Sequence, residues 1–176
     1  MANTFLNAGG VSIGKSLCEH EMAHTANEIM AAAHKSNCKI ILPIDAIVAE
    51  KFEKGSANSN VSINSIPADQ MILDVGPKTI SLLCETVKKS KTIVWNGPLG
   101  AFELSPFDQG TVALAQFTAD ITDKGYITSI AGGGDTVSAL NHAGVAAKFS
   151  YVSGAGGAFL EWLEGKKLPG VQALNI

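Results

Sequence analysis

Tyr126-Ile127-Thr128-Ser129-Ile130-Ala131-Gly132-Gly133-Gly134-Asp135-Thr136-Val137-Ser138-Ala139-Leu140 is the stretch whose reading decides the fold. Its first half is apolar and β-branched, which reads as a buried strand. Three glycines stop that strand. Asp135 and Thr136 are both N-cap types, and the spacing predicts a helix beginning at Val137 and Leu140. Strand, glycine turn and helix in succession gather bare backbone N–H groups and a helix N-terminus at one point, a place for an anion. A carboxylate there would repel a phosphate unless a divalent cation joins them. The turn therefore reads either as a Mg-nucleotide site with Asp135 on the metal, or as a tight βα loop with Asp135 as an ordinary N-cap.

The rest of the chain repeats the pattern. Apolar runs at Lys39–Leu42, Thr92–Trp95 and Phe149–Val152 read as strands, as do Asp45–Glu50 and Val61–Ile63. Glu19–Ser36, the segment after Pro77, Phe107–Thr122 and Phe159–Glu164 read as helices, and Met1–Ala8 as a short one. In the second helix Met22, Ala26, Ile29, Met30 and Ala33 share one face. Glu53–Asn60 reads as a surface loop, and Asp74-Val75-Gly76-Pro77 as a turn that leaves Pro77 at the first helical position. Continuous apolar strands alternating with helices predict a three-layer, Rossmann-like α/β domain, its sheet mainly parallel with helices on both faces. Ligands of such sheets bind beyond the carboxyl ends of the strands. Three glycine-bearing turns fall there: Asn96–Gly100, Gly132–Thr136 and Gly154–Gly157.

Composition narrows the classes. The chain has 176 residues, 46% hydrophobic and 16% charged, with a net charge of −3. That is one domain's length with a proper core, not a disordered chain. No basic stripe with interleaved aromatics suggests nucleic acid. Cys18, Cys38 and Cys84 form no C-x-x-C pair, and no apolar run reaches membrane-spanning length. A cytoplasmic protein with no membrane partner is expected.

Two motif matches fail on context. Gly9-Gly10-Val11-Ser12-Ile13-Gly14-Lys15-Ser16 satisfies the P-loop pattern, but that chemistry needs a strand before the loop and a helix directly after it. Here a helix precedes and the next helix starts near Glu19. His20-Glu21-Met22-Ala23-His24 satisfies the zinc-protease pattern H-E-x-x-H. At about 100° per residue its histidines point away from the apolar stripe, toward solvent, with no third ligand.

Three stretches go beyond generic α/β. Trp95-Asn96-Gly97-Pro98-Leu99-Gly100-Ala101-Phe102-Glu103 resembles the W-N-G-P-x-G-x-F-E segment of phosphoglycerate kinase. Ala131–Thr136 is similar to that family's G-G-G-D-[ST] turn. Ser153–Glu161 with Leu168-Pro169-Gly170-Val171 looks like its closing glycine helix and tail. Gly14-Lys15-Ser16-Leu17, Leu42-Pro43-Ile44-Asp45, Lys51-Phe52 and Leu73–Pro77 agree in order and spacing, so the resemblance runs the length of the chain.

The resemblance implies a glycolytic, cytoplasmic enzyme of two domains that transfers a phosphoryl group between 1,3-bisphosphoglycerate and ADP, yielding 3-phosphoglycerate and ATP, with Mg²⁺. Residues 1–176 look like its C-terminal, nucleotide-binding domain. By resemblance Asp135 holds the nucleotide's Mg²⁺, while Gly133, Gly134 and Thr136 line the phosphates. Asn96 and Pro98 border the triphosphate, Glu103 reaches the ribose, and Leu17, Phe52 and Leu73 wall the adenine. Gly156 and Gly157 open the helix facing the transferring phosphoryl group. Lacking from the family pattern are the N-terminal domain that binds phosphoglycerate, the opening G-A-K-V segment and the glycines before Met-Ala-x-T-F; Gly154 stands where threonine is usual. The expectation is little or no activity from this chain alone. The full-length enzyme is expected to be monomeric, and this chain to self-associate through uncovered apolar sheet surface. A non-catalytic nucleotide-binding or interaction module is the reading from a different class.

Overall fold

The computed structural model describes residues 1–154, 157–158, 161 and 164–174. Its helices are α1 (Ala2–Ala8), α2 (Ala23–Lys35), α3 (Pro77–Lys89), α4 (Gln109–Asp123), α5 (Gly134–His142) and α6 (Pro169–Leu174), and its strands β1 (Asp45–Ala49), β2 (Asn58–Ser62), β3 (Met71–Val75), β4 (Thr92–Trp95), β5 (Thr128–Gly132) and β6 (Tyr151–Ser153). The chain divides into two compact units, Met1–Leu82 with Leu99–Gly110, and Leu83–Pro98 with Thr111–Ile176.

The first unit is built on an antiparallel sheet ordered β2-β1-β3. β1 is its centre because Ala46, Val48 and Ala49 are fully buried, as a strand covered on both faces requires. Val48 and Ala46 join Leu6, Ile13, Ile63 and Ile66 in one core cluster. A second cluster holds Ala49, Leu73 and Phe107. The β1–β3 register slips between Ile47 and Val48, leaving Leu73 without a ladder partner. Its carbonyl instead accepts the Ala101 N–H at 2.8 Å. α1 packs against α2.

The second unit carries a parallel sheet ordered β4-β5-β6, in register Thr92↔Thr128 to Trp95↔Ala131 and Ile130↔Tyr151 to Gly132↔Ser153. α5 packs on β5. Trp95 and Phe149 meet edge-on with centroids 6.1 Å apart. The α/β class and the parallel sheet agree with the alternation of apolar runs and helices. Among the described residues no helix is long and apolar enough to cross a membrane.

Four expectations are corrected. Lys39–Leu42 is not a strand; among the described residues no strand pairs with it, and Leu42 packs against the first core cluster instead. The expected turn at Asp74 is the end of β3, because the carboxylate finds backbone donors that a buried strand would otherwise deny it. β2 begins at Asn58 inside the expected loop, paired to β1 despite its polar sequence. α2 starts at Ala23, with His20–Met22 forming a separate 3-10 turn. The helix expected over Phe159–Glu164 lies mostly outside the described residues.

Candidate functional site

In the second unit, parallel strands bring three turns to one sheet edge. β4 runs into Asn96-Gly97-Pro98, β5 into Gly133, and β6 into Gly154. The Gly133 N–H donates to the Ser153 carbonyl at 3.3 Å. Gly133 has φ +100°, which an L side chain rarely adopts, and a Cβ there would stand 3.3 Å from Asn96 Oδ1. The glycine thus lets two of the turns approach.

Gly133, not Asp135 or Thr136, is the N-cap of α5. The helix's own bonding starts with the Val137 N–H on the Gly133 carbonyl at 2.9 Å. That leaves the N–H groups of Gly134, Asp135 and Thr136 without intrahelical partners. Thr136 is buried, and its Oγ accepts the Gly97 N–H at 2.7 Å. Its hydroxyl is therefore committed to the neighbouring turn, and what it can offer an anion is its backbone N–H. Gly134 and Asp135 are exposed. The Asp135 carboxylate makes no hydrogen bond or ion pair among the described residues. No group of three or more ligating side chains gathers among them either. One free carboxylate beside leftover N–H groups fits Mg²⁺ carried in on phosphate oxygens, since that ion keeps most of its shell as water and phosphate. Asn96 is exposed and Pro98 half-buried at this edge. Gly157 is helical and exposed, while Gly156 lies outside the described residues.

In the first unit, Leu17, Phe52 and Leu73 line one cavity of about 650 Å³. Leu73 is its buried floor, and Leu17 and Phe52 are exposed at its mouth. The size suits a drug-like or nucleoside-sized ligand. Lys15, Asp74 and the Leu99–Ala101 wall also line it; the sequence reading set Leu99 and Gly100 in a ligand-edge turn but gave Lys15, Asp74 and Ala101 no site role. A carboxylate inside the apolar run Met71–Val75 was the signal for Asp74. Glu103, exposed, follows two residues after that wall.

The P-loop match is pinned down elsewhere. Gly14 has φ +58°, the Lys15 N–H donates to the Gln70 carbonyl at 2.8 Å, and Ser16 Oγ accepts the Ile72 N–H at 2.8 Å. The Lys15 N–H and the Ser16 oxygen are spent on β3 and its approach, and α1 stands where a strand would be needed. His20 and His24 are not on one α-helix; His20 Nδ1 lies 3.2 Å from Asn7 Oδ1, and His24 Nε2 lies 3.4 Å from Glu28 Oε1. Cys18, Cys38 and Cys84 are free thiols.

Comparison with known proteins follows the same lines. The family model for phosphoglycerate kinase matches residues 1–166. A phosphoglycerate kinase of Rhizobium leguminosarum bv. trifolii is 59% identical over 175 residues, covering 99% of this chain and 44% of that protein. One from Zymomonas mobilis subsp. mobilis is 61% identical with the same coverage. The solved phosphoglycerate kinase from Coxiella burnetii superposes with a TM-score of 0.92 at 45% identity, over 99% of this chain and 44% of that one. That from Pyrococcus horikoshii gives 0.79 at 27% identity, over 99% and 43%. The chain spans less than half the length of the relatives it matches.

Proposed function

The chain belongs to the phosphoglycerate kinase family, and on that premise we propose that residues 1–176 are its nucleotide-binding portion, taking Mg-ADP or Mg-ATP for phosphoryl transfer with 1,3-bisphosphoglycerate and 3-phosphoglycerate in the cytoplasm. The observation that carries this reading is the Asp135 carboxylate, without a partner among the described residues, beside the leftover N–H groups at the start of α5. Phosphoryl transfer asks a protein mainly for position and charge neutralisation. Bound Mg²⁺ would neutralise phosphate charge. The chain's own share is donors from Gly134, Asp135 and Thr136, a carboxylate from Asp135, and the Asn96–Pro98 turn as a wall. The Leu17/Phe52/Leu73 cavity is assigned to an adenine-sized apolar ring, with Glu103 toward the ribose. The phosphoglycerate side is assigned to the part of the relatives that this chain does not cover, so the chain by itself turns over little or no 3-phosphoglycerate.

Calorimetry tests the reading. Mg-ADP binds the chain, and Asp135→Asn weakens it by ~10-fold or more in Mg²⁺ while leaving metal-free ADP nearly unchanged, since the lost charge–charge contact is with the ion. Adenosine competes through Leu17 and Phe52. No heat with Mg-ADP, or an Asp135→Asn loss that is the same without the metal, overturns the assignment.

A further inference from the structure

Residues Leu99–Gly110 belong to the first unit, and glycines near both ends of this segment meet one carboxylate. Asp74 Oδ2 accepts the Gly110 N–H at 2.7 Å, and Oδ1 accepts the Val75 N–H at 2.8 Å. A Cβ on Gly100 would fall 2.4 Å from Asp74 Oδ1, and one on Gly110 2.5 Å from the same atom. The two glycines are therefore small because the carboxylate lies between the two arms of the loop. Asp74 is 2% exposed. The loop has its own packing, with Phe107 fully buried beside Leu73 and the Ala101 N–H on the Leu73 carbonyl. This is the anatomy of an Ω-loop closed at its neck.

We propose that Asp74 is a positioning residue that closes the neck of the 99–110 loop and so holds the Leu99–Ala101 wall and Glu103 in place at the adenine-sized cavity. The inference that the wall matters for ligand rests on the function proposed above; the clasp itself does not.

The clasp has an electrostatic signature. Burial pushes the Asp74 carboxyl up to about 6, against hydrogen bonds from Gly110 and Val75 that lower it, and Asp108 on the same loop adds to the rise. Lys15 is a cation on the same cavity, and Ile47, the β1 partner of Asp74, is neutral. Opening the neck returns the carboxyl to its ordinary 3.8, so the closed form holds a proton more tightly. Neck opening then grows about tenfold between pH 5 and pH 7.

Hydrogen exchange of the intact chain, corrected for intrinsic rates, reads this directly at the Ala101 and Gly110 amides. The wild type shows the rise with pH, while Asp74→Ala, which removes both acceptors, flattens it and exchanges ~10-fold faster at pH 5. Gly100→Ala, which crowds the carboxylate, also speeds exchange at both amides. Adenosine affinity falls in Asp74→Ala while Mg-pyrophosphate affinity holds. Exchange at both amides that is pH-independent in the wild type, or unchanged in both variants, overturns the clasp. If exchange responds and wild-type chain binds no adenosine, the clasp stands and the nucleoside assignment of the cavity falls.

Discussion

The buried Thr136 hydroxyl accepts the Gly97 N–H at 2.7 Å, tying the first turn of α5 to the turn after β4. Those two turns carry Asp135 and Asn96. Thr136→Val removes the acceptor, keeps the volume and leaves a part-buried N–H unpaired, a loss of about 1–3 kcal/mol. Urea unfolding should show it as a lower midpoint with unchanged slope. Thr136→Ser restores the oxygen and should recover most of the loss. A loss in the Ser variant with none in the Val variant would mean that the methyl group, not the hydroxyl, is what matters.

Asp45 plays a comparable part for α3. Its carboxylate accepts the Lys78 N–H at 3.0 Å, the Thr79 N–H at 2.8 Å and the Thr79 hydroxyl at 2.7 Å, capping the helix from another strand. Burial pushes this carboxyl up, but the Thr79 hydroxyl, the Lys78 and Thr79 N–H groups and the Asn60 side chain outweigh it and hold it below its ordinary 3.8. A lowered carboxyl contributes stability above the unfolded value and loses it as pH falls through the folded one. Asp45→Asn should cost about 2 kcal/mol at pH 7 and remove that acid step. A stability profile between pH 2 and pH 5 that is the same in both proteins would refute the cap. Asp74, raised rather than lowered, has the opposite sign, its share of stability falling as pH rises from 3.8 toward about 6.

These two aspartates show why part of the fold was legible and part was not. The turns at the ends of β4 and β5 were readable because Asn-Gly-Pro and three glycines announce strand ends by local chemistry. Asp45 and Asp74 carry no local sign of the Lys78, Thr79 and Gly110 donors they hold, which lie 33 to 36 residues away. Asp74 therefore read as a turn residue, and the strand it ends went unseen. Thr136 read as a phosphate ligand by resemblance, and only the geometry shows its oxygen already bonded to Gly97.

The apolar stripe of α2 makes the same point about faces. Periodicity put Met22, Ala26, Ile29, Met30 and Ala33 on one side. Of these only Ala26 is buried, while Met22, Ile29 and Met30 are 43%, 45% and 39% exposed. A repeat reports which residues share a face, not whether another element covers it. A second copy of the chain is expected to cover it, so sedimentation should show concentration-dependent association that Ile29→Glu suppresses. A monomer at all concentrations, or association indifferent to Ile29→Glu, would remove this surface from consideration.

The Gly14-Lys15 segment separates a phosphate loop from a structural one. Gly14 sits at φ +58°, and a Cβ there would lie 2.3 Å and 2.4 Å from the Gln70 and Pro67 carbonyl oxygens. Backbone on both sides cannot yield as a side-chain tip would, so Gly14→Ala should destabilise by about 2 kcal/mol or more. Lys15 is exposed, and its tie to β3 is made by its backbone N–H, not its ammonium. Lys15→Ala should then stay within about 0.5 kcal/mol of wild type. A phosphate-binding P-loop would reverse the weight, with the lysine ammonium essential for Mg-nucleotide binding. Denaturation of both variants, with Mg-pyrophosphate titrated into Lys15→Ala, decides it. Loss of Mg-pyrophosphate binding in that variant would restore the P-loop; retained binding together with an unstable Gly14→Ala leaves the glycine as a packing requirement of the chain's entry to β3.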